Sequence, residues 1–222
     1  MSFLPGMFPC IADAAGVATI SFIASTTSTA ATITAPATIN AGDLLILFDN
    51  NDQLSSTPPS VVPTGFTQIT VYTGDDGTVF YKGLISYKIA NGTEDSSTIT
   101  GLASLFSGVR KCLLQFRGNI AITSITPVSI DASFTEGDPA SRVVPSASGV
   151  VPLIVFAEYF CNSSSISAAT RTFSPAADGE VNSSNFQYIK YKIYNSSPAD
   201  ITADLGDNGG GNALSSFYLR VT

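Results

Sequence analysis

Ile85-Ser86-Tyr87-Lys88-Ile89-Ala90-Asn91 reappears late in the chain as Ile189-Lys190-Tyr191-Lys192-Ile193-Tyr194-Asn195, with five of the seven positions identical. In each copy the isoleucines and the central tyrosine alternate with polar residues. That period of two marks a strand with one buried and one wet face. Around the first copy, Tyr81, Ile85, Tyr87 and Ile89 share the expected buried face, and Lys82, Ser86 and Lys88 the wet one. Two further strings recur in the same order. Leu45-Ile46-Leu47-Phe48 answers to Leu153-Ile154-Val155-Phe156, and Leu114-Gln115-Phe116-Arg117 to Phe217-Tyr218-Leu219-Arg220. The shared order favours two structurally equivalent halves, about 17–118 and 119–222, over strand patterning that merely converged.

The rest of the chain has the same rhythm. Apolar and β-branched runs are separated by Gly, Pro, Asn, Asp and Ser clusters, and no window holds a 3.6-residue period. Main strands are expected near 17–23, 43–49, 66–73, 79–90, 109–117, 151–160, 186–194 and 213–221, with shorter ones near 30–34, 97–100 and 200–204. Leu44 to Phe48 and Leu153 to Phe156 are apolar on both faces, so they should be the most central. The fold class is therefore all-β: a jelly-roll-like antiparallel β sandwich of about eight main strands, built from two pseudo-repeated halves. Two tandem sandwiches would give a similar pattern. One domain over 17–222 is preferred, because the joining segment Gly118 to Ser148 contains strand-like stretches rather than a flexible linker. Residues 1–16 read as an extended N-terminal arm. There Phe3, Leu4, Met7, Phe8 and Ile11 crowd apolar side chains into a stretch broken by Pro5, Gly6 and Pro9, suited either to folding back over its own sandwich or, the reading preferred, to docking on a neighbouring subunit.

Composition narrows the chemistry. The 222 residues are 44% hydrophobic and only 12% charged, against about 25% charged in an ordinary globular protein. With a net charge of -7, nucleic acid is not an expected partner. Neither is a membrane, since the longest apolar run, Val150 to Ala157, is far short of a span. The first residues lack a basic region, and prolines interrupt any apolar core of a leader, so no secretory signal is expected. Three widely spaced cysteines, Cys10, Cys112 and Cys161, suit neither a disulfide framework nor a zinc site.

The absence of histidine removes Ser-His-Asp, Cys-His and His-metal sites. A carboxylate pair for glycoside hydrolysis would have to come from Glu94, Glu136, Glu158 or Glu180. Three of these fall in turns and loops. Glu158, late in an apolar strand, reads as an outward strand-end carboxylate or one paired to Lys or Arg. No catalytic residue and no required cofactor is assigned, and the chain is not expected to be an enzyme. Calcium is the one ion worth testing, through Asp49-Asn50-Asn51-Asp52, Asp75-Asp76, and Asp204 with Asp207-Asn208, all read as loop clusters. Tyr188 and Tyr194, flanking Lys190 and Lys192 on an outward strand face, are candidate contacts for a host surface glycan.

Several elements taken in order carry a resemblance: Ala41-Gly42-Asp43-Leu44-Leu45-Ile46-Leu47-Phe48, Pro63-Thr64-Gly65-Phe66-Thr67, Tyr87-Lys88-Ile89-Ala90 with Glu94, Leu114-Gln115-Phe116-Arg117-Gly118, and Pro127-Val128-Ser129-Ile130-Asp131-Ala132. Over about residues 40–135 the chain resembles a family of phage and prophage virion proteins with a jelly-roll-like β sandwich, related to tail-fibre and surface modules. Phe66 stands where that family often has Trp, and the second half follows the pattern more loosely. The resemblance implies a non-enzymatic virion structural protein, a capsid decoration protein or a tail or baseplate component. It would be made in the host cytoplasm and would bind other virion proteins and copies of itself. The alternative from another class is a carbohydrate-binding receptor-recognition module.

Overall fold

The computed structural model describes residues 19–53, 61–75, 80–102, 110–136, 140–144, 152–161, 171–184, 187–196, 198–205 and 211–222. Among them are fifteen strands and no helix. The first half contributes β1 (Ile20–Ser28), β2 (Ile33–Thr34), β3 (Leu44–Gln53), β4 (Thr67–Asp75), β5 (Phe80–Ile89), β6 (Thr98–Ile99) and β7 (Arg110–Gly118). From the second come β8 (Ile125–Glu136), β9 (Ala140–Val144), β10 (Leu153–Cys161), β11 (Arg171–Ser174), β12 (Gly179–Ser184), β13 (Gln187–Tyr194), β14 (Ile201–Leu205) and β15 (Gly211–Val221).

The two halves wind alike. One five-stranded sheet has the order β1-β7-β3-β5-β4, and the other, read in the same sense, β8-β15-β10-β13-β12. All pairings are antiparallel. The second and sixth strands of the first half pair in a separate layer, β2 with β6, and their counterparts β9 and β14 do the same with β11 added. First-seventh-third-fifth in one layer and second-sixth in the other is the jelly-roll winding. Each large sheet thus belongs wholly to one half.

The large sheets pack face to face. Leu44, Ile46, Phe48, Ile85, Cys112, Leu114 and Phe116 from one meet Ile154, Phe156, Ile189, Tyr191, Leu219 and Val221 from the other in a single buried cluster. Aromatic rings bridge it. Phe48 and Phe116 lie 5.7 and 5.6 Å from Phe156, and Phe116 lies 5.5 Å edge-on to Tyr191, spacings typical of favourable aromatic pairs. On the outer face of the first sheet, Leu45, Leu47 and Leu113 are covered by Ile33, Ala35, Ile39 and Leu102. On the outer face of the second, Leu153, Val155, Ala157 and Tyr159 are covered by Phe173, Ile201 and Ala203. β3 and β10 are therefore central and apolar on both sides, as their unbroken hydrophobic runs require.

Covering layers also change the wet face expected of β5. Ser86 is fully buried there, and Lys82 and Lys88 are half-buried. Ladder registers refine the repeat as well. Ile46 lies opposite Tyr87 and Leu114, while Phe156 lies opposite Tyr191 and Phe217. Two of the recurring strings therefore align in space. The third is offset by two residues: Ile46 corresponds to Phe156, not to Ile154.

Each of the four edge pairings, β1–β7, β4–β5, β12–β13 and β8–β15, carries a register irregularity, whereas the four inner pairings run without one. Such irregularities twist edges away from further strand addition. Phe156 stands at the centre of the aromatic bridge with no exposed surface. Phe156→Ala is expected to lower stability by about 3–5 kcal/mol in urea unfolding. A cost under about 1 kcal/mol would contradict the face-to-face core.

Candidate functional site

Along β10 the inward positions are Ile154, Phe156 and then Glu158, which is 1% exposed. Its carboxylate lies between the sheets, so the outward strand-end reading is corrected: strict alternation continues the apolar face onto position 158. Asn50 Nδ2 donates to Glu158 Oε1 at 2.6 Å, and Gln187 Nε2 donates to the same oxygen at 2.8 Å. The Tyr72 hydroxyl sits 2.7 Å from Asn50 Oδ1 and 3.2 Å from Glu158 Oε2. Gln187 Oε1 in turn accepts from Ser183 at 2.6 Å and from the Cys112 thiol at 3.6 Å. Asn50, Tyr72 and Cys112 belong to the first half, and Glu158, Ser183 and Gln187 to the second. The polar cluster fastens one half to the other at one end of the apolar core.

Tyr72 enters this cluster over Gly83, its partner across the β4–β5 ladder. A Cβ at position 83 would stand 2.0 Å from the tyrosine ring, so only glycine leaves the ring its path. The same device recurs in the second half, where Gly179 lies opposite Tyr191 and a Cβ would meet the hydroxyl at 2.3 Å. Burial, reinforced by the Glu158 charge, holds the Tyr72 phenol well above its ordinary value, and the Cys112 thiol is pushed up for the same two reasons. Both groups stay protonated at neutral pH. Cys112 is thus a buried thiol and not a nucleophile.

The four residues read as an ion-binding loop, 49–52, lie within β3. Alternation divides them: Asn50 turns inward to Glu158, while Asp49 and Asn51 fall on the opposite face of the strand and are buried there. Asp49 Oδ1 accepts from Lys111 Nζ and, at 3.1 Å, from Asn51 Nδ2. Burial raises the Asp49 carboxyl above its usual range and outweighs the attraction of Lys111, and burial likewise lowers Lys111. The side chains of Asp75, Asp76, Asp204, Asp207 and Asn208 lie outside the described residues. Removing one partner of a buried pair leaves an uncompensated charge, whereas removing both leaves none. Asp49→Leu alone should cost about 3–5 kcal/mol, and Asp49→Leu with Lys111→Met should be no less stable than the natural sequence. Urea midpoints of the three proteins measure this, and a double variant as unstable as the single one would contradict it.

The strings that carry the family resemblance converge on structural struts. Asp43 takes a two-pronged bond from Arg117, Nε to Oδ1 and Nη2 to Oδ2 at 2.7 Å each, together with Gln115 Nε2 at 2.6 Å and the Asn40 amide at 2.8 Å. Gly42, at φ +85°, passes so close to the chain joining the halves that a Cβ would lie 2.6 Å from that of Ala121. Glu94 accepts the amides of Asn91, Gly92 and Thr93 at 3.0–3.2 Å and pairs with Lys88 at 2.9 Å. Burial alone would raise both carboxyls. Hydrogen bonds and the nearby cations more than reverse this, and each is held below its ordinary value.

A carboxyl lowered in the folded state stabilises above its unfolded value, about pH 4, and loses that contribution as pH falls through the folded value. Asp43→Asn should therefore lower stability at about pH 7 and shrink the loss between about pH 7 and about pH 3. Urea midpoints at the two pH values measure both effects. An unchanged acid dependence would contradict the role given to Asp43.

The remaining sequence candidates are distributed as follows. Tyr188 and Tyr194 are 6% and 7% exposed, packed under β11 and β14 in the second outer core. Arg171 lies 3.7 Å over the Tyr188 ring. Lys190 is bonded to the Arg171 carbonyl and paired with Glu180, and Lys192 to the Ala176 carbonyl and Asp178. The two rings are covered and offer no open platform, while the two lysines between them stay partly exposed. Glu180 is a strut to Arg171, at 2.9 and 3.0 Å. The arm residues Phe3, Leu4, Met7, Phe8 and Ile11, with Cys10 and the side chains of Glu136 and Cys161, lie outside the described residues.

Among the described residues a hollow lies on the outer side of the first half. About 180 Å³ in volume, it is lined by Leu45, Phe66, Lys88, Glu94 and Ile99 with hydroxyl residues from both flanking loops. Sequence reading missed it, because its walls come from four separate stretches between 35 and 100. No family model, curated protein or solved structure matches the chain.

Proposed function

We propose that this chain is a non-enzymatic structural protein of a bacteriophage particle, a capsid decoration protein or a tail or baseplate component that works through subunit contacts. One observation carries the reading. Six of the ten cationic side chains, Lys88, Lys111, Arg117, Arg171, Lys190 and Lys192, are paired with carboxylates of the same chain. In a chain only 12% charged, this leaves few cations to be desolvated when a neighbour covers the surface.

The sequence resemblance to virion proteins agrees with this chemistry. Because irregular edge pairings discourage strand addition, contact with neighbours is assigned to the sandwich faces and to the arm through Phe3, Leu4, Met7, Phe8 and Ile11. Its partners are other virion proteins and further copies of this chain.

Immunogold electron microscopy of intact particles tests the proposal. The chain should occupy regular positions on purified particles, and a version lacking residues 1–12 should fail to incorporate. Particles free of the chain would refute the virion role. Normal incorporation of the shortened chain would refute the arm.

A further inference from the structure

The hollow on the outer side of the first half exists because the two halves differ there. Lys88 and Lys192 occupy equivalent places, since Tyr87 and Tyr191 pair with the equivalent residues Ile46 and Phe156. In the second half that place is closed: Lys192 donates to the Ala176 carbonyl at 2.8 Å and to Asp178 at 3.2 Å, and Ala177 packs on the outer core. In the first half, Lys88 meets only Glu94 among the described residues and opens onto the hollow with 24% of its side chain exposed. Gly65, whose φ of +82° favours glycine, passes beside the lysine, a Cβ there lying in ordinary contact 3.4 Å from Nζ.

The lining selects a ligand. An ammonium with unused donors stands beside a carboxylate whose oxygens are already taken by that lysine and by the amides of Asn91, Gly92 and Thr93, so this wall offers donors with no net charge. Thr64, Ser97, Thr98 and Thr100 add hydroxyls, which donate and accept alike. Leu45, Phe66 and Ile99 supply an apolar patch. A ligand matching this is rich in hydroxyls on its rim, apolar on one face and uncharged, since the net charge of -7 disfavours anions. At about 180 Å³ the hollow is smaller than the 300–1,000 Å³ typical of drug-sized ligands and takes a single ring.

We propose that the hollow of Phe66, Lys88, Glu94, Thr98 and Thr100 binds one pyranose unit of a neutral glycan. The site stands whether or not the chain is a particle component.

Saturation-transfer NMR on the full chain with glucose, galactose, mannose and N-acetylglucosamine, each at millimolar concentration, tests this. At least one sugar should give a signal. Thr100→Trp, which fills the hollow, should abolish it. Lys88→Met should weaken binding about tenfold, a loss of about 1.4 kcal/mol. Thr98→Val, which adds no bulk, should weaken it in the same direction, so the proposal stays testable if the tryptophan variant misfolds. Lys192→Met should leave it intact. Silence from all four sugars, a signal that survives Thr100→Trp in the folded protein, or equal damage from Lys192→Met would overturn the site.

Discussion

Contact between the inner faces of the two large sheets is the constraint on which the rest of the structure depends. Each half presents a five-stranded sheet whose described inward residues are mostly apolar, and the two sheets cover each other in one buried cluster. The outer layers are modest by comparison: β2 and β6 are two residues each, and β9, β11 and β14 are four or five. The interdigitated rings of Phe48, Phe116, Phe156 and Tyr191 therefore hold together what the chain builds as two separate windings. Apolar contact alone would let the sheets slide or rotate. The hydrogen bonds that Asn50, Tyr72, Gln187 and Glu158 make across one end of the core give the interface a direction.

Among the described residues, several carboxylates serve as struts. Asp43 ties β3 to β7 through Arg117, Glu94 organises the turn after β5, and Glu180 anchors Arg171 beneath the second outer layer. Each carboxylate is surrounded by donors, which is the condition under which burying charge is tolerable. Six of the ten cations are used in pairs within the chain, so few are left for contacts outside it. The charges in the hollow, Lys88 and Glu94, pair with each other, so it carries no net charge.

Much of the fold was legible in the sequence because its strands obey simple periodicities. Runs apolar on both faces placed β3 and β10 at the centres of their sheets, and the repeated Ile-x-Tyr-Lys-Ile string revealed the two equivalent windings. Strands β9, β11 and β12 escaped notice because Ala140–Val144 and Arg171–Ser174 are too short to show a period, and Gly179–Ser184 is rich in Gly, Asn and Ser, which also favour turns. Asp49-Asn50-Asn51-Asp52 looked like a loop for the same reason, yet pairing with Lys111 on one face and with Glu158 on the other keeps it in a strand. Partners of that kind lie far away in sequence. The Asn50–Glu158 bond spans 108 positions, and no local pattern announces it. A signal was nevertheless present, since a lone carboxylate in a strand apolar on both faces must turn inward or break the alternation.

If the halves depend on one shared core, they must open together. Hydrogen exchange followed by mass spectrometry across increasing urea reads the opening free energy of β3 and β10 separately. The account predicts that both strands exchange through one global opening, with the same free energy and the same dependence on urea. Full exchange of one half while the other stays protected would show two independently stable units, and would contradict the shared core.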